Sequence, residues 1–250
     1  MNKILSTVLS AAVIASMAGC STPASSKTSS TDEGKTSVVA EDGTKSEGVM
    51  TYAEYVDAAV DSEVTVETYV QAKQGWWEDK GVGKATLYTQ DQEGAYFLYN
   101  VEMSEEGYKS EWSGEVEITD ATFEIEEGNY VAEPVDLTDM LANEDELIKH
   151  QNEKFSVKGL TVSASKDADG KDVAYLYNYD GSGTQGDDLY FNVDLDGKTY
   201  TFTVESYLCG KDTDVYKAVE NLKVGDTIDC DGYLYWYNGV NPHITNVTVK

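Results

Sequence analysis

The chain has 250 residues, 46 acidic against 18 basic side chains, and a formal net charge of −28. Every basic residue is lysine, so the planar fork with which arginine grips phosphates is absent throughout. A chain this acidic repels polyanions at long range, and its lysines are scattered singly rather than gathered into a basic groove, which argues against nucleic-acid binding.

In chain order, Lys3 opens an apolar stretch from Ile4 to Met17. Ser6, Thr7, Ser10 and Ser16 interrupt it, and its continuous apolar part falls short of the ~20 residues that a spanning helix needs. It closes on Met17-Ala18-Gly19-Cys20, small residues followed by a cysteine. The segment resembles a bacterial lipoprotein signal. That resemblance implies removal of residues 1–19, acylation of Cys20, and a lipid anchor on the extracytoplasmic face of the cell membrane. Residues 20–49 are rich in Ser, Thr, Lys, Glu and Gly with little to bury, and read as a disordered tether. Such a coil spans on the order of 30 Å.

From Met50 onward one β-rich pattern is written twice. The first copy opens with a helix over 52–60 and a strand over 64–72. A loop with Trp76 and Trp77 follows, then a hairpin (85–88 and 95–101) turning at Asp91 to Gly94, and two last strands at 116–118 and 121–125. The second copy opens with helical stretches at 137–141 and 144–150 and a strand over 155–162. After an excursion from Ala164 to Gly186, a hairpin turns at Asp196-Gly197. A helix over 215–222 leads to a strand at 224–228, and the chain ends with 232–237 and 244–249.

Strand, hairpin, connection, strand, strand is the order of the OB-fold. Gly159, inside the first strand of copy two, lets that strand bend to serve both sides of a small barrel. With Leu222 to Ile228 and Asp231 to Leu234, residues 50–250 are similar to bacterial tandem OB-fold lipoproteins. The implied fold is mainly β: two OB-fold-like five-stranded Greek-key barrels in tandem, with short linking helices. The boundaries fall at 50–130 and 131–250. Copy one has five residues (102–106) where copy two has 23 (209–231), so its barrel is expected to be incomplete and to lean on the other.

OB barrels take ligands on the face of strands two and three and on the loops beside it. Aromatic and polar residues mark those loops here: Trp76, Trp77 and Trp112 in copy one, and Tyr235, Tyr237, Asn238, Asn241 and His243 in copy two. Alternation sends Trp236 inward with Leu234. Of the adjacent Trp76 and Trp77, one is expected in the core and the other as a platform. Asp167, Asp169 and Asp172 form a weak calcium candidate that lacks EF-hand spacing. Cys209 and Cys230 are either a disulfide or buried thiols. No nucleophile–base arrangement, phosphate loop or zinc spacing is present, so no enzyme activity and no cofactor are expected. The two resemblances, together with the acidic and Tyr-rich composition, therefore imply an anchored binding module for a glycan, cell-wall fragment, peptide or protein. The alternatives are an envelope structural protein and, against the charge, a nucleic-acid binder.

Overall fold

The computed structural model describes residues 45–75, 77–79, 82–102, 108–119 and 130–250. Cys20, most of the tether, Trp76 and the strand expected at 121–125 lie outside the described residues, as does the side chain of Trp112.

Helix α1 (Tyr52–Asp57) begins where Thr51 and Glu54 satisfy each other's amides in a capping box. Its buried Tyr55 packs against the first sheet. The strand expected from Val64 joins a ladder only at β1 (Tyr69–Lys73). Before that, Val64 and Val66 are buried beside α1 on unladdered backbone. Strand β2 (Trp77–Asp79) lies on β3 (Val82–Gln90), and β3 forms a hairpin with β4 (Ala95–Glu102). Asp91 Oδ1 accepts the amides of Glu93 and Gly94, and so holds this turn. Strands β5 (Tyr108–Trp112) and β6 (Glu115–Thr119) join through Ser113 and Gly114, both at positive φ. The order is β1-β3-β4-β6-β5, with β4 and β6 parallel. Among the described residues no pairing joins β1 to β5.

The second unit begins with β7 (Val135–Asp136), a 3-10 turn and α2 (Glu144–Leu147). Strand β8 (Lys154–Ser163) pairs through its first part with β14 (Thr227–Tyr233) and through its end with β12 (Leu189–Leu195). Gly159, at φ +70° in the middle of β8, sits where the β8–β14 register shifts between Val157 and Leu160, and lets the strand kink there before β12 joins it at Thr161. The short strands β9 (Ser165–Lys166), β10 (Asp172–Val173) and β11 (Leu176–Tyr177) occupy the excursion. β12 turns into β13 (Lys198–Val204) through Asp196 and Gly197, both at positive φ. After α3 (Asp214–Glu220), β14 pairs with β15 (His243–Val249), and β15 meets β13 in parallel. β8, β12, β13, β15 and β14 thus close a five-stranded barrel, and the protein is mainly β with a barrel compatible with an OB-like fold.

Phe155, Leu160, Phe191, Phe202, Ile228 and Ile244 fill the barrel with no exposed surface, and Val215, Tyr216 and Val219 of α3 pack onto it. Cys209 and Cys230 belong to this core as separate buried thiols, so the disulfide left open by the sequence is not formed. Burial pushes the Cys209 thiol up to about 11 and raises that of Cys230 further, which keeps both protonated and unreactive.

A third cluster joins the two units. Tyr88 and Phe97 of the first sheet pack on Tyr233 of the barrel, with the Tyr88 and Tyr233 rings stacked at 4.6 Å. The Tyr88 hydroxyl lies 2.8 Å from Nδ1 of His243, and both residues are buried. Burial depresses the His243 imidazole to about 3, so it is neutral at physiological pH. Tyr88→Phe removes this hydrogen bond and leaves a buried ring nitrogen unpaired. It should cost about 1–3 kcal/mol in urea denaturation. A double-mutant cycle with His243→Phe should recover much of that loss, and additive effects would show that the pair is not coupled.

Candidate ligand-binding site

A groove of about 350 Å³ runs where the first unit meets the second. Its lining is Gln74, Gly75, Trp77, Thr86, Tyr99 and Asn100 from the first unit and Tyr207 from the second. The three aromatics stay open to solvent: Trp77 is 42% exposed, Tyr99 43% and Tyr207 72%. Strand alternation explains Tyr99, which faces out from β4 next to the inward Leu98, and Asn100 follows it at the bulge of the same strand. Trp77 is held in place by its own hydrogen bond. Its Nε1 donates to Asn100 Oδ1 at 3.1 Å, and Asn100 sits at φ +51° with its amide on Thr86 Oγ1. The Lys84 ammonium stands 5.7 Å over the indole ring, within cation–π range. Tyr207 is placed by backbone, because the Gly75 amide donates to the Tyr207 carbonyl at 2.7 Å. Glu205 accepts the amides of Tyr207 and Leu208 and fixes that turn; burial raises its carboxyl to about 7.

The other sequence candidates are distributed differently. Tyr237 is 49% exposed on the second unit. Asn238 lies in a turn whose amide donates to the Ser113 carbonyl, and Asn241 Oδ1 accepts Thr203 Oγ1 at 2.9 Å. Tyr235 stacks on His243 at 4.4 Å and meets Phe97 at 5.3 Å, so both are taken up by the junction. Trp236 is buried in the barrel core, as alternation indicated. The acidic excursion is a turn: Asp167 Oδ1 accepts the amides of Asp169 and Lys171, while Asp172 pairs with Lys166 at 2.6 Å. Among the described residues no three His, Cys, Asp or Glu side chains gather to hold a metal. No described helix is long and apolar enough to cross a membrane.

Residues missed in the sequence cluster at the junction. Glu115 is fully buried: Oε1 accepts Asn152 Nδ2 at 2.6 Å and Oε2 accepts the Trp236 amide at 2.7 Å. Burial outweighs these bonds and pushes the carboxyl up to about 8; Glu117, two residues on, rises to about 7 for the same reason. Tyr99 and Tyr207 were missed as well, since a single tyrosine among 18 carries no signal of its own.

Comparison of the chain with protein-family models, curated proteins and solved structures gave no match.

Proposed function

We propose that this chain is a membrane-tethered, extracytoplasmic binding module that holds an uncharged glycan on Trp77, Tyr99 and Tyr207. The carrying observation is the groove itself, with three solvent-facing aromatic rings beside the amides of Gln74 and Asn100. Aromatic faces cover the apolar side of a sugar ring, and neighbouring amides bond its hydroxyls, the usual mix of an apolar lining with a few placed polar groups. The charge of −28 favours a neutral ligand over a polyanion. In this reading the first sheet is a shortened OB-like repeat completed by the closed barrel. Cys20 carries the lipid, and residues 21–49 lift the pair off the membrane.

The test is a glycan array with the full chain, alongside a single-stranded DNA shift assay at low salt. Trp77→Ala should weaken glycan binding at least about tenfold, or ~1.4 kcal/mol, with no change in melting temperature beyond a few degrees. A salt-sensitive DNA shift, or glycan binding indifferent to Trp77, would overturn the proposal.

A further inference from the structure

One turn of the second unit supplies the groove with Tyr207, and two carboxyl groups hold that turn. It runs from Glu205, just after β13 ends at Val204, to the buried Cys209. Glu205 Oε1 accepts the Tyr207 amide at 3.1 Å, and Oε2 accepts the Leu208 amide at 2.7 Å. Asp188, just before β12, grips the residue between: its Oδ1 accepts the Ser206 amide at 2.8 Å and the Ser206 hydroxyl at 2.7 Å. The Tyr207 carbonyl receives the Gly75 amide of the first unit, and a Cβ on Gly75 would stand 3.7 Å from the Tyr207 ring. The ring itself is 72% exposed, so the turn, rather than packing, sets its place.

The clasp holds two acids and no counter-charge. Among the described residues no lysine or histidine forms an ion pair with Glu205 or Asp188. The titratable groups that face Glu205 are Asp188, Tyr190 on β12, Tyr88 on β3 of the first unit, and Cys209 at the end of the turn. Burial raises both tyrosines and the thiol, which keeps them neutral and leaves Asp188 as the charge in this set. Burial also raises Glu205 from 4.5 to about 7; Asp188 adds to the rise, and the Tyr207 and Leu208 amides oppose it. The neutral acid suits the closed turn. Ionisation puts a second negative charge beside Asp188 with little water around it, and an outward swing of the turn returns the carboxylate to solvent and to its ordinary range. The closed turn is therefore fully favoured below about pH 4.5 and loses that advantage as pH climbs to about 7.

We infer that Glu205 and Asp188 form a proton-operated clasp on the Tyr207 turn: ionisation of Glu205 beside Asp188 releases the turn, breaks the contact between Gly75 and Tyr207, and withdraws one wall from the groove. The inference rests on the reading of that groove as the ligand site. Glu205 is a positioning residue there and acts through Tyr207. Apparent affinity follows the fraction of chains with the turn closed, so ligand is held in an acid medium and let go in an alkaline one.

The test is NMR-detected amide hydrogen exchange on the full chain without ligand, corrected for the intrinsic effect of pH. Between pH 5 and pH 8, protection of the Tyr207, Leu208 and Gly75 amides should fall at least about tenfold more than that of the core amides of β12 and β13. Glu205→Gln stands in for the protonated acid at every pH and should abolish this excess fall. Asp188→Asn removes the neighbouring charge, keeps an acceptor for Ser206, and should move the upper end of the fall to lower pH. The glycan array, repeated at both pH values, should read at least about threefold weaker at pH 8 for the native chain and alike at both for Glu205→Gln. An array blank at both pH values would remove the ligand reading, while the exchange data would still decide the clasp. An excess fall that persists in Glu205→Gln, or Gly75 protection that does not follow that of Tyr207, overturns the inference.

Discussion

Glu115→Gln is expected to raise the melting temperature at pH 9 by roughly 10–20 °C and to leave it nearly unchanged at pH 5. Glu115 has no exposed surface, and its carboxyl is raised from 4.5 to about 8. A carboxyl raised on folding favours the folded state fully below its unfolded value and loses that contribution as pH climbs through the folded value. The window is therefore pH 4.5 to 8, with stability falling as pH rises. At about 1.4 kcal/mol per pH unit the loss is on the order of 5 kcal/mol, and in a chain of this size 1 kcal/mol moves the midpoint by about 2–4 °C. Glutamine is neutral throughout. Its carbonyl keeps the Trp236 amide, and its NH2 reaches Asn152 once that amide turns over and offers Oδ1, the acceptor without a partner. His243 works in the opposite sense. Its imidazole is depressed to about 3, so its contribution is present above about 6.5 and is lost as pH falls toward 3. Glu117 and Glu205, both raised to about 7, lose their contribution above pH 4.5 as Glu115 does, so the native chain should be most stable at about pH 4–5. Thermal denaturation between pH 4 and 9 checks both statements, and an equal effect of Glu115→Gln at pH 5 and pH 9 would refute the assignment.

Gly232→Ala should be the most damaging single methyl in the barrel. A Cβ at this position would stand 2.2 Å from the His243 carbonyl oxygen and 3.0 Å from Ile244 Cα, all backbone of the neighbouring strand. No side-chain rotation relieves such a contact, so β15 must move off β14 at the bulge between Asp231 and Gly232. That displacement also shifts His243 from Tyr88. A loss of about 3 kcal/mol or more is expected, near the top of the range for single substitutions. Gly159→Ala makes the contrast: nothing lies within 4 Å of a Cβ there, and only its φ of +70° is strained, which costs about 1–2 kcal/mol. Urea denaturation of the two variants separates steric exclusion from backbone strain. Equal destabilisation would mean that the β14–β15 approach is not the limiting contact.

The barrel was readable because its determinants are local. Gly159 marks the kink, Asp196-Gly197 marks the hairpin, and alternation through Phe191, Val193 and Phe202 marks the inner face. That the first unit leans on the barrel was expected, but the residues of the junction were not readable, and the reason is physical. Along Glu115, Val116, Glu117 and Ile118 the acidic positions alternate with apolar ones, which in an isolated sheet sends the acids to water. Here the barrel covers that side, so Glu115 and Glu117 are both buried. The same covering turned His243 and Tyr235 from loop candidates into packing residues. The Trp76–Trp77 pair stands out in the sequence, and Trp77 lines the groove with its ring exposed, whereas Tyr207 reaches the same groove through a backbone contact between units that no local pattern announces.

Several of the bonds between the two sheets involve main-chain atoms. The Gly75 amide meets the Tyr207 carbonyl, and the Asn238 amide meets the Ser113 carbonyl, turn against turn. Substitution replaces side chains and leaves the peptide group in place. Over evolutionary time, then, these contacts survive exchange of nearly every residue that makes them, provided the turns keep their backbone conformation. Descendants of this chain are free to drift far in sequence, to repaint the groove with new chemistry, and still inherit the same angle between sheet and barrel.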